Sequence, residues 1–197
     1  MIPINTLLDA YRTGFFPMVV GGRLGWYSPE GRGVLPLDKV HIPRRLRRLL
    51  RQRRFRTTIN QDFRQVIRAC ASRPDDSGNW IDEEIIDSYC ALHESGHAHS
   101  VEVWSETVLV GGLYGVSTRG AFFGESMFHH QTDASKIALC VLVDRLQARH
   151  YRLLDTQWLT GHLAQFGAVE ISRRDYLERL AEAMEYDCQF VDTPEPA

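Results

Sequence analysis

The chain has 197 residues, 44% of them hydrophobic, and a formal net charge of −2, enough for one sizeable core and a small appended lobe. No apolar run reaches the roughly 20 residues that cross a bilayer, and the N-terminus lacks the basic leader and apolar stretch of a secretory signal. Cys70, Cys90, Cys140 and Cys188 form no C-x-x-C pair, which fits reduced thiols in a cytoplasmic protein.

The elements read in order as follows. Leu7, Leu8 and Tyr11 have helical spacing, with Gly14 as a stop. Phe15-Phe16-Pro17 opens an irregular segment. Arg23–Tyr27 and Gly33–Leu37 read as short extended pieces around a turn at Ser28-Pro29-Glu30-Gly31. Pro43 opens a helix with Leu46, Leu49 and Leu50 on one stripe. Phe55–Ile59 reads as a strand, and Asn60 as the cap of a helix carrying Phe63, Val66, Ile67 and Cys70. Trp80 follows a loop over residues 74–79. Asp82 caps a helix with Ile85, Ile86, Tyr89 and Leu92 inward, ended by Gly96. Three strands follow at His99–Trp104, Val108–Val116 and Ala121–Gly124, then a helix capped by Asp133 and running through Leu146. Tyr151–Gln157 is a strand, a short helix ends near Gly167, Ala168–Ile171 is a strand, and Arg173–Met184 is a closing helix before a frayed tail at Asp192–Ala197. The class is α/β (mixed α+β), and from residue 55 the order is that of the GNAT-like acyltransferase fold.

Charge is unevenly placed. Residues 44–54 read RRLRRLLRQRR, and without those seven arginines the formal charge of −2 becomes −9. Like charges at this density disfavour a helix unless an anion offsets them. A polyphosphate backbone suits the run, with shape and backbone contacts rather than base readout.

Two features point to chemistry. Phe122-Phe123-Gly124-Glu125-Ser126-Met127-Phe128 is apolar around one carboxylate, and a charge removed from water needs a partner. This reads as a greasy pocket with an anchor for a cation, or as a strand end with Glu125 turned to solvent. In Leu153-Leu154-Asp155-Thr156-Gln157-Trp158, Asp155 and Gln157 lie two apart on a strand and project together. Either they are ordinary polar residues entering a loop, or Asp155 accepts from the Gln157 amide and fixes its carbonyl as an acceptor. His93-Glu94-Ser95-Gly96-His97 matches H-E-x-x-H, but Gly96 ends the helix, so the imidazoles should diverge and no metal is expected. Phosphate-binding glycine loops and a serine nucleophile elbow are lacking, so an acyl donor should arrive already activated.

The chain resembles the bacterial leucyl/phenylalanyl-tRNA–protein transferases from Ala10-Tyr11-Arg12-Thr13-Gly14-Phe15-Phe16-Pro17 to Arg173-Arg174-Asp175-Tyr176-Leu177. Between these stand Trp26-Tyr27-Ser28-Pro29, Gly96–Trp104, Gly111–Val116, Phe123–Phe128, Ala134-Ser135-Lys136 and Asp155-x-Gln157. The resemblance implies transfer of Leu or Phe, with Met a further candidate, from aminoacyl-tRNA to the α-amine of proteins beginning with Arg or Lys, which marks them for N-end-rule degradation. It implies a small N-terminal lobe over 1–31, a GNAT-like catalytic domain over 32–197, no cofactor, no membrane association and a monomer. By resemblance Glu125, Asp155 and Gln157 are the catalytic set, with Glu125 or Asp155 holding the acceptor's cationic residue. Leu113, Phe122, Met127, Leu142 and Leu154 line the donor slot, Trp80 packs on the terminal adenosine or the slot's rim, and Arg44, Arg48 and Arg51 meet the tRNA body. The apolar five also read as ordinary core.

The chain departs from the family at Met18, which stands where an aromatic is usual, at Leu113 and Leu142, which replace larger or more flexible pocket residues, and at Thr160, which stands for Asn. It begins near the first shared helix, so the leader of longer members is expected to be missing. Two other readings stay open: an acyl-CoA acetyltransferase on the same fold, which would bind CoA, and a non-catalytic RNA-binding protein, in which Glu125, Asp155 and Gln157 vary without effect.

Overall fold

The computed structural model describes residues 1–72 and 80–192; the loop expected over residues 74–79 and the tail beyond Asp192 lie outside them. Helix α1 (Ile4–Arg12) turns Leu7, Leu8 and Tyr11 inward. Strands β1 (Phe16–Val20) and β2 (Arg23–Tyr27) pair as an antiparallel hairpin. The Phe-Pro start of β1 reads as irregular in isolation, but a strand of a two-stranded sheet has an unpaired edge and so tolerates proline.

The main sheet contains β3 (Gly31–Val34), β4 (Arg56–Ile59), β5 (Ala98–Ser105), β6 (Val108–Thr118), β7 (Ala121–His129), β8 (Leu153–Gln157) and β9 (Val169–Ser172), in the order β4-β5-β6-β7-β8-β3-β9. Its pairings are antiparallel except that of β7 with β8. A parallel neighbour needs a long crossover, and α5 (Ala134–Ala148) supplies it.

Two apolar clusters sandwich the sheet. One gathers α1, α3 (Phe63–Ala71), α4 (Glu83–Glu94) and α7 (Arg173–Met184). The other gathers α5, Leu46 of α2 (Arg44–Arg51), and Phe190. The short α6 (Gly161–Ala164) adds Leu163 to this second face.

Local chemistry corrects several boundaries. Asp62, not Asn60, caps α3, accepting from the Gln65 N–H at 3.0 Å. Asn60 takes a left-handed φ of 57° and accepts instead from the Ser100 N–H at 3.0 Å. Asp133 precedes α5 at φ 69° without capping it by its side chain; Arg45 and Lys136 share its carboxylate, at 2.8 and 3.5 Å.

Two bulges and the end of one ladder shape the sheet around Glu125 and Gln157. Between β6 and β7, Tyr114 faces Ser126 and Gly115 faces Gly124, so Glu125 is the extra residue. A bulge re-aims the side chains around it. Phe123 joins the α1/α3/α4/α7 cluster while Met127, four residues later, packs on the α5 side. Gly115 allows the close approach: a Cβ there would lie 2.3 Å from the Phe123 carbonyl oxygen. Between β3 and β8, Gly33 faces Gln157 and Val34 faces Asp155, leaving Thr156 extra. The β7–β8 ladder ends at Phe123 and Asp155; beyond it the link between the two strands is the side-chain hydrogen bond from Gln157 to Glu125.

Candidate active site

Glu125 is 8% exposed. Its Oε1 accepts from the Tyr11 hydroxyl at 2.8 Å and from Gln157 Nε2 at 3.0 Å, and its Oε2 accepts from the Tyr89 hydroxyl at 3.3 Å. The two phenol oxygens also lie within hydrogen-bonding reach of each other, so their two O–H protons are shared among three contacts. Burial pushes the Glu125 carboxyl up to about 7, and the charge of Asp155 adds to this, while the three hydrogen bonds pull the other way. Burial, and then the charge of Glu125, raise both Tyr11 and Tyr89 well above the usual phenol range, so both remain protonated donors.

Asp155 is 0% exposed and Arg32 is 1% exposed. Arg32 Nη2 donates to Asp155 Oδ2 at 2.7 Å, and Nε approaches Oδ1 and Oδ2 at 3.0 and 3.1 Å. The Tyr176 hydroxyl donates to Oδ2 at 2.7 Å, and Oδ1 accepts from the Gln157 backbone N–H at 2.7 Å. The guanidinium is itself held by the Gly14 carbonyl at 3.1 Å and lies between the rings of Phe16 and Tyr176, 4.7 and 4.4 Å from their centroids. Burial lowers the pKa of Arg32, but the Asp155 carboxylate outweighs it and the net shift is upward. An ion pair this dry stands because planar geometry and extra hydrogen bonds satisfy both members.

The expected contact from the Gln157 amide to Asp155 is absent. Asp155 binds the backbone of Gln157, and the side-chain amide turns to Glu125. The reason is Gln157's φ of 62°: the strand is no longer regular there, so alternation does not govern where the side chain points. A non-glycine residue in this conformation persists only when its surroundings hold it, and Asp155 does so. Since Gln157 Nε2 is committed to Glu125, its carbonyl oxygen is the acceptor left for a ligand.

Sequence reasoning does not single out Arg32, Tyr11, Tyr89 and Tyr176, which the structure places against Asp155 and Glu125. Tyr11 and Tyr89 read simply as apolar positions of helix stripes. The available signal is the hydroxyl, because a buried tyrosine O–H seeks a partner.

Leu113, Phe122, Leu142 and Leu154 are buried in the α5-side cluster, with Met127 half-buried against it. Leu113 faces Met127 across β6–β7, and Phe122 faces Leu154 across β7–β8. Trp80 is not with them; it is half-buried against the opposite cluster. Arg44, Arg48 and Arg51 are exposed on α2, away from its Leu46, Leu49 and Leu50 stripe. His93 commits Nδ1 to the Ala98 carbonyl at 2.7 Å and stacks on Phe63 at 4.5 Å, so it and His97 do not form a metal pair. Among the described residues no group of three potential ligands comes together around a metal.

Residues 34–181 match the family described as leucyl/phenylalanyl-tRNA protein transferase, and residues 2–30 match its N-terminal domain. The chain belongs to the leucyl/phenylalanyl-tRNA–protein transferase family. It is therefore an aminoacyltransferase by family. Relatives carrying that name include one from Gloeobacter violaceus, 53% identical over 93% of this chain and 95% of that protein. Another, from Maricaulis maris, is 52% identical over 96% of this chain and 89% of that protein. Among solved structures, L-PGS from Bacillus licheniformis aligns at a TM-score of 0.46 and 12% identity over 79% of this chain and 65% of that one, slightly under two thirds of its length.

Proposed function

We propose that this member of the family moves Leu or Phe, with Met a further candidate, from aminoacyl-tRNA to the N-terminal α-amine of cytoplasmic proteins that begin with Arg or Lys, marking them for N-end-rule degradation. The observation that carries the reading is charge. Arg32 cancels Asp155 inside the protein, so Glu125 is the carboxylate whose charge is left for an acceptor's cationic side chain. This assigns acceptor recognition to Glu125, and to Asp155 the task of holding Gln157 in place.

The reaction needs little acid–base power. The amine nitrogen attacks the ester carbonyl carbon, the new C–N bond forms and the ester C–O bond breaks, and the proton that the amine nitrogen loses ends on the departing ribose oxygen, which leaves as the hydroxyl. The Gln157 carbonyl accepts a hydrogen bond from the amine and aligns its lone pair, so the rate gain comes mainly from positioning. The ester is already activated, so no cofactor is required. Leu113, Phe122, Met127, Leu142 and Leu154 form the donor slot; unbranched Met and aromatic Phe suit both Leu and Phe. Trp80 meets the terminal adenosine or the rim, and Arg44, Arg48 and Arg51 meet the tRNA body. The enzyme works as a monomer with a lobe at 1–31 and a GNAT-like domain at 32–197, the ends of β7 and β8 giving the donor its place. No helix among the described residues is long and apolar enough to cross a membrane.

The test is labelled Leu-tRNA with a peptide beginning with Arg beside one beginning with Ala. Label enters the first alone; equal labelling of both, or of neither, ends the reading.

A further inference from the structure

Away from Glu125 and Gln157, residues of α2, β4 and α5 and of the link between α2 and β4 enclose a cavity of about 430 Å³, a size that suits a small ligand or one unit of a polymer. Its walls are of two kinds. Leu50, Phe55, Ile137 and Val141 give it an apolar floor that belongs to the α5-side cluster. Arg53, Arg54 and Arg56 line it too, and all three are exposed. The chain passes from α2 to β4 through a left-handed turn at Arg53, φ 48°, and the three arginines meet at one opening.

Within the arginine run the ion pair is that of Arg45 with Asp133; among the described residues Arg53, Arg54 and Arg56 have no carboxylate partner. Arg54 lies over the Phe55 ring instead, 5.5 Å from its centroid, and Arg56 lies over the Trp104 ring at 5.0 Å and donates to Gln61 Oε1 at 2.8 Å. A guanidinium is flat, stacks on flat rings and pairs with phosphate. The cavity therefore asks for two things at once: a planar body of low polarity for the floor, and negative charge at the opening. A nucleotide supplies both. Leu50 belongs to α2, the helix whose outward Arg44, Arg48 and Arg51 face phosphates in the reading above, so the cavity continues that face. Proteins read RNA mainly through unpaired bases, splayed out and stacked on aromatic rings or guanidinium planes.

We propose that this cavity takes one unpaired base from the body of the donor tRNA, held between the apolar floor and the guanidinium groups, with the phosphates beside that base on Arg53 and Arg54. The inference rests on the transferase reading given above and goes beyond it: the arginine run by itself calls for shape and backbone contacts, and the cavity adds a base. None of its residues belongs to the Glu125, Asp155 and Gln157 set, so their replacement should act on affinity for whole tRNA and leave transfer from a short donor in place.

The experiment separates base from phosphate. Val141→Phe fills the cavity and leaves every charge in place; the double variant Arg53→Gln with Arg54→Gln removes charge at two exposed positions and keeps the floor. Binding of Leu-tRNA is measured against salt, and bases of the bound tRNA are mapped with base-specific chemical probes. With Val141→Phe, Kd rises about tenfold, the scale of one lost base stack, at an unchanged salt slope. With the double variant the log–log slope falls by about 0.7 for each phosphate no longer neutralised on a single-stranded segment. The parent protects one unpaired base outside the CCA end, and both variants expose it again. KM for a Leu-CCA trinucleotide, which has no tRNA body, stays at the parental value in both, which shows that the fold and the reacting groups are intact; should Val141→Phe disturb the fold, the double variant still decides through the exposed base. A parent that protects no base outside the CCA end, or variants whose protection matches the parent's, overturn the base site. So does a Val141→Phe protein that binds tRNA at parental affinity but has lost an acidic, aromatic peptide bound by the parent, which would hand the cavity to a protein partner. A parent that protects the base yet transfers no Leu to an Arg-initiated peptide overturns the transferase reading and leaves the base site standing.

Discussion

Glu125 and Asp155 are carboxylates on neighbouring strands whose surroundings give them different roles. Asp155 has a guanidinium in its plane and lies wholly out of water. Glu125 has phenols and an amide but no cation, so desolvation dominates and its carboxyl titrates near 7 rather than at 4.5. The sign of the consequence for stability follows from proton counting. Below about pH 4.5 folded and unfolded chains both hold the proton. From there up to about pH 7 the unfolded chain loses it first, so stability falls as pH rises, by about 1.4 kcal/mol per unit and about 3 kcal/mol over the window. Glu125→Gln carries no charge to desolvate. Thermal melts of parent and variant at pH 5 and pH 8 should show the difference in Tm moving in the variant's favour at the higher pH; a difference that stays constant would show that Glu125 is not the titrating group.

At the scale of elements, the bulge on β7 does for Glu125 what strict alternation cannot. Phe123 and Glu125 share one side of the sheet, and Met127 is returned to the other, toward the donor-slot candidates. The geometry depends on Gly115, where an added Cβ would meet the Phe123 carbonyl oxygen at 2.3 Å and the Phe122 ring at 2.4 Å. Gly115→Ala should therefore cost about 1–3 kcal/mol through forced backbone movement and lower kcat/KM as Glu125 shifts from Gln157. Gly161→Ala, which has open space around its Cβ, should keep both stability and turnover. Urea titration and steady-state kinetics on the two variants decide it, and a tolerant Gly115 would mean that the bulge does not aim the site. This scale also marks what the sequence can reveal. The α3 and α4 stripes are legible because burial on one face leaves a period in the residues, whereas β5 and β6, buried on both faces, are legible as β-branched and apolar runs bounded by turn residues. β7 is legible only as far as Gly124, because Gly-Glu-Ser interrupts its apolar run and the interruption is made by pairing with β6. The sequence places Gln157 on its strand but not in its hydrogen bond, because its left-handed φ is held by a tertiary contact to Asp155.

For the whole molecule, charge separation is the feature that composition reports most directly, since a run of arginines is local in sequence. What composition cannot report is its setting: Arg44, Arg48 and Arg51 lie on the outward face of α2, while Arg45 reaches across to Asp133 before α5. Among the described residues the ion pairs of this run are confined to that one bridge. The outward arginines are thus available to phosphates, on a protein whose remaining charge is negative, and a polyanion is drawn to this side and repelled elsewhere. Replacing Arg44, Arg48 and Arg51 together by Gln leaves the Leu46, Leu49 and Leu50 stripe untouched, so the fold should hold. Each phosphate neutralised on duplex RNA or DNA contributes about 0.9 to the slope of log affinity against log salt. The triple variant should therefore flatten the slope for aminoacyl-tRNA by about two to three, while KM for an Arg-initiated peptide stays at the parental value. A parental slope would place the tRNA body on another face and leave the density of like charge on α2 without a partner.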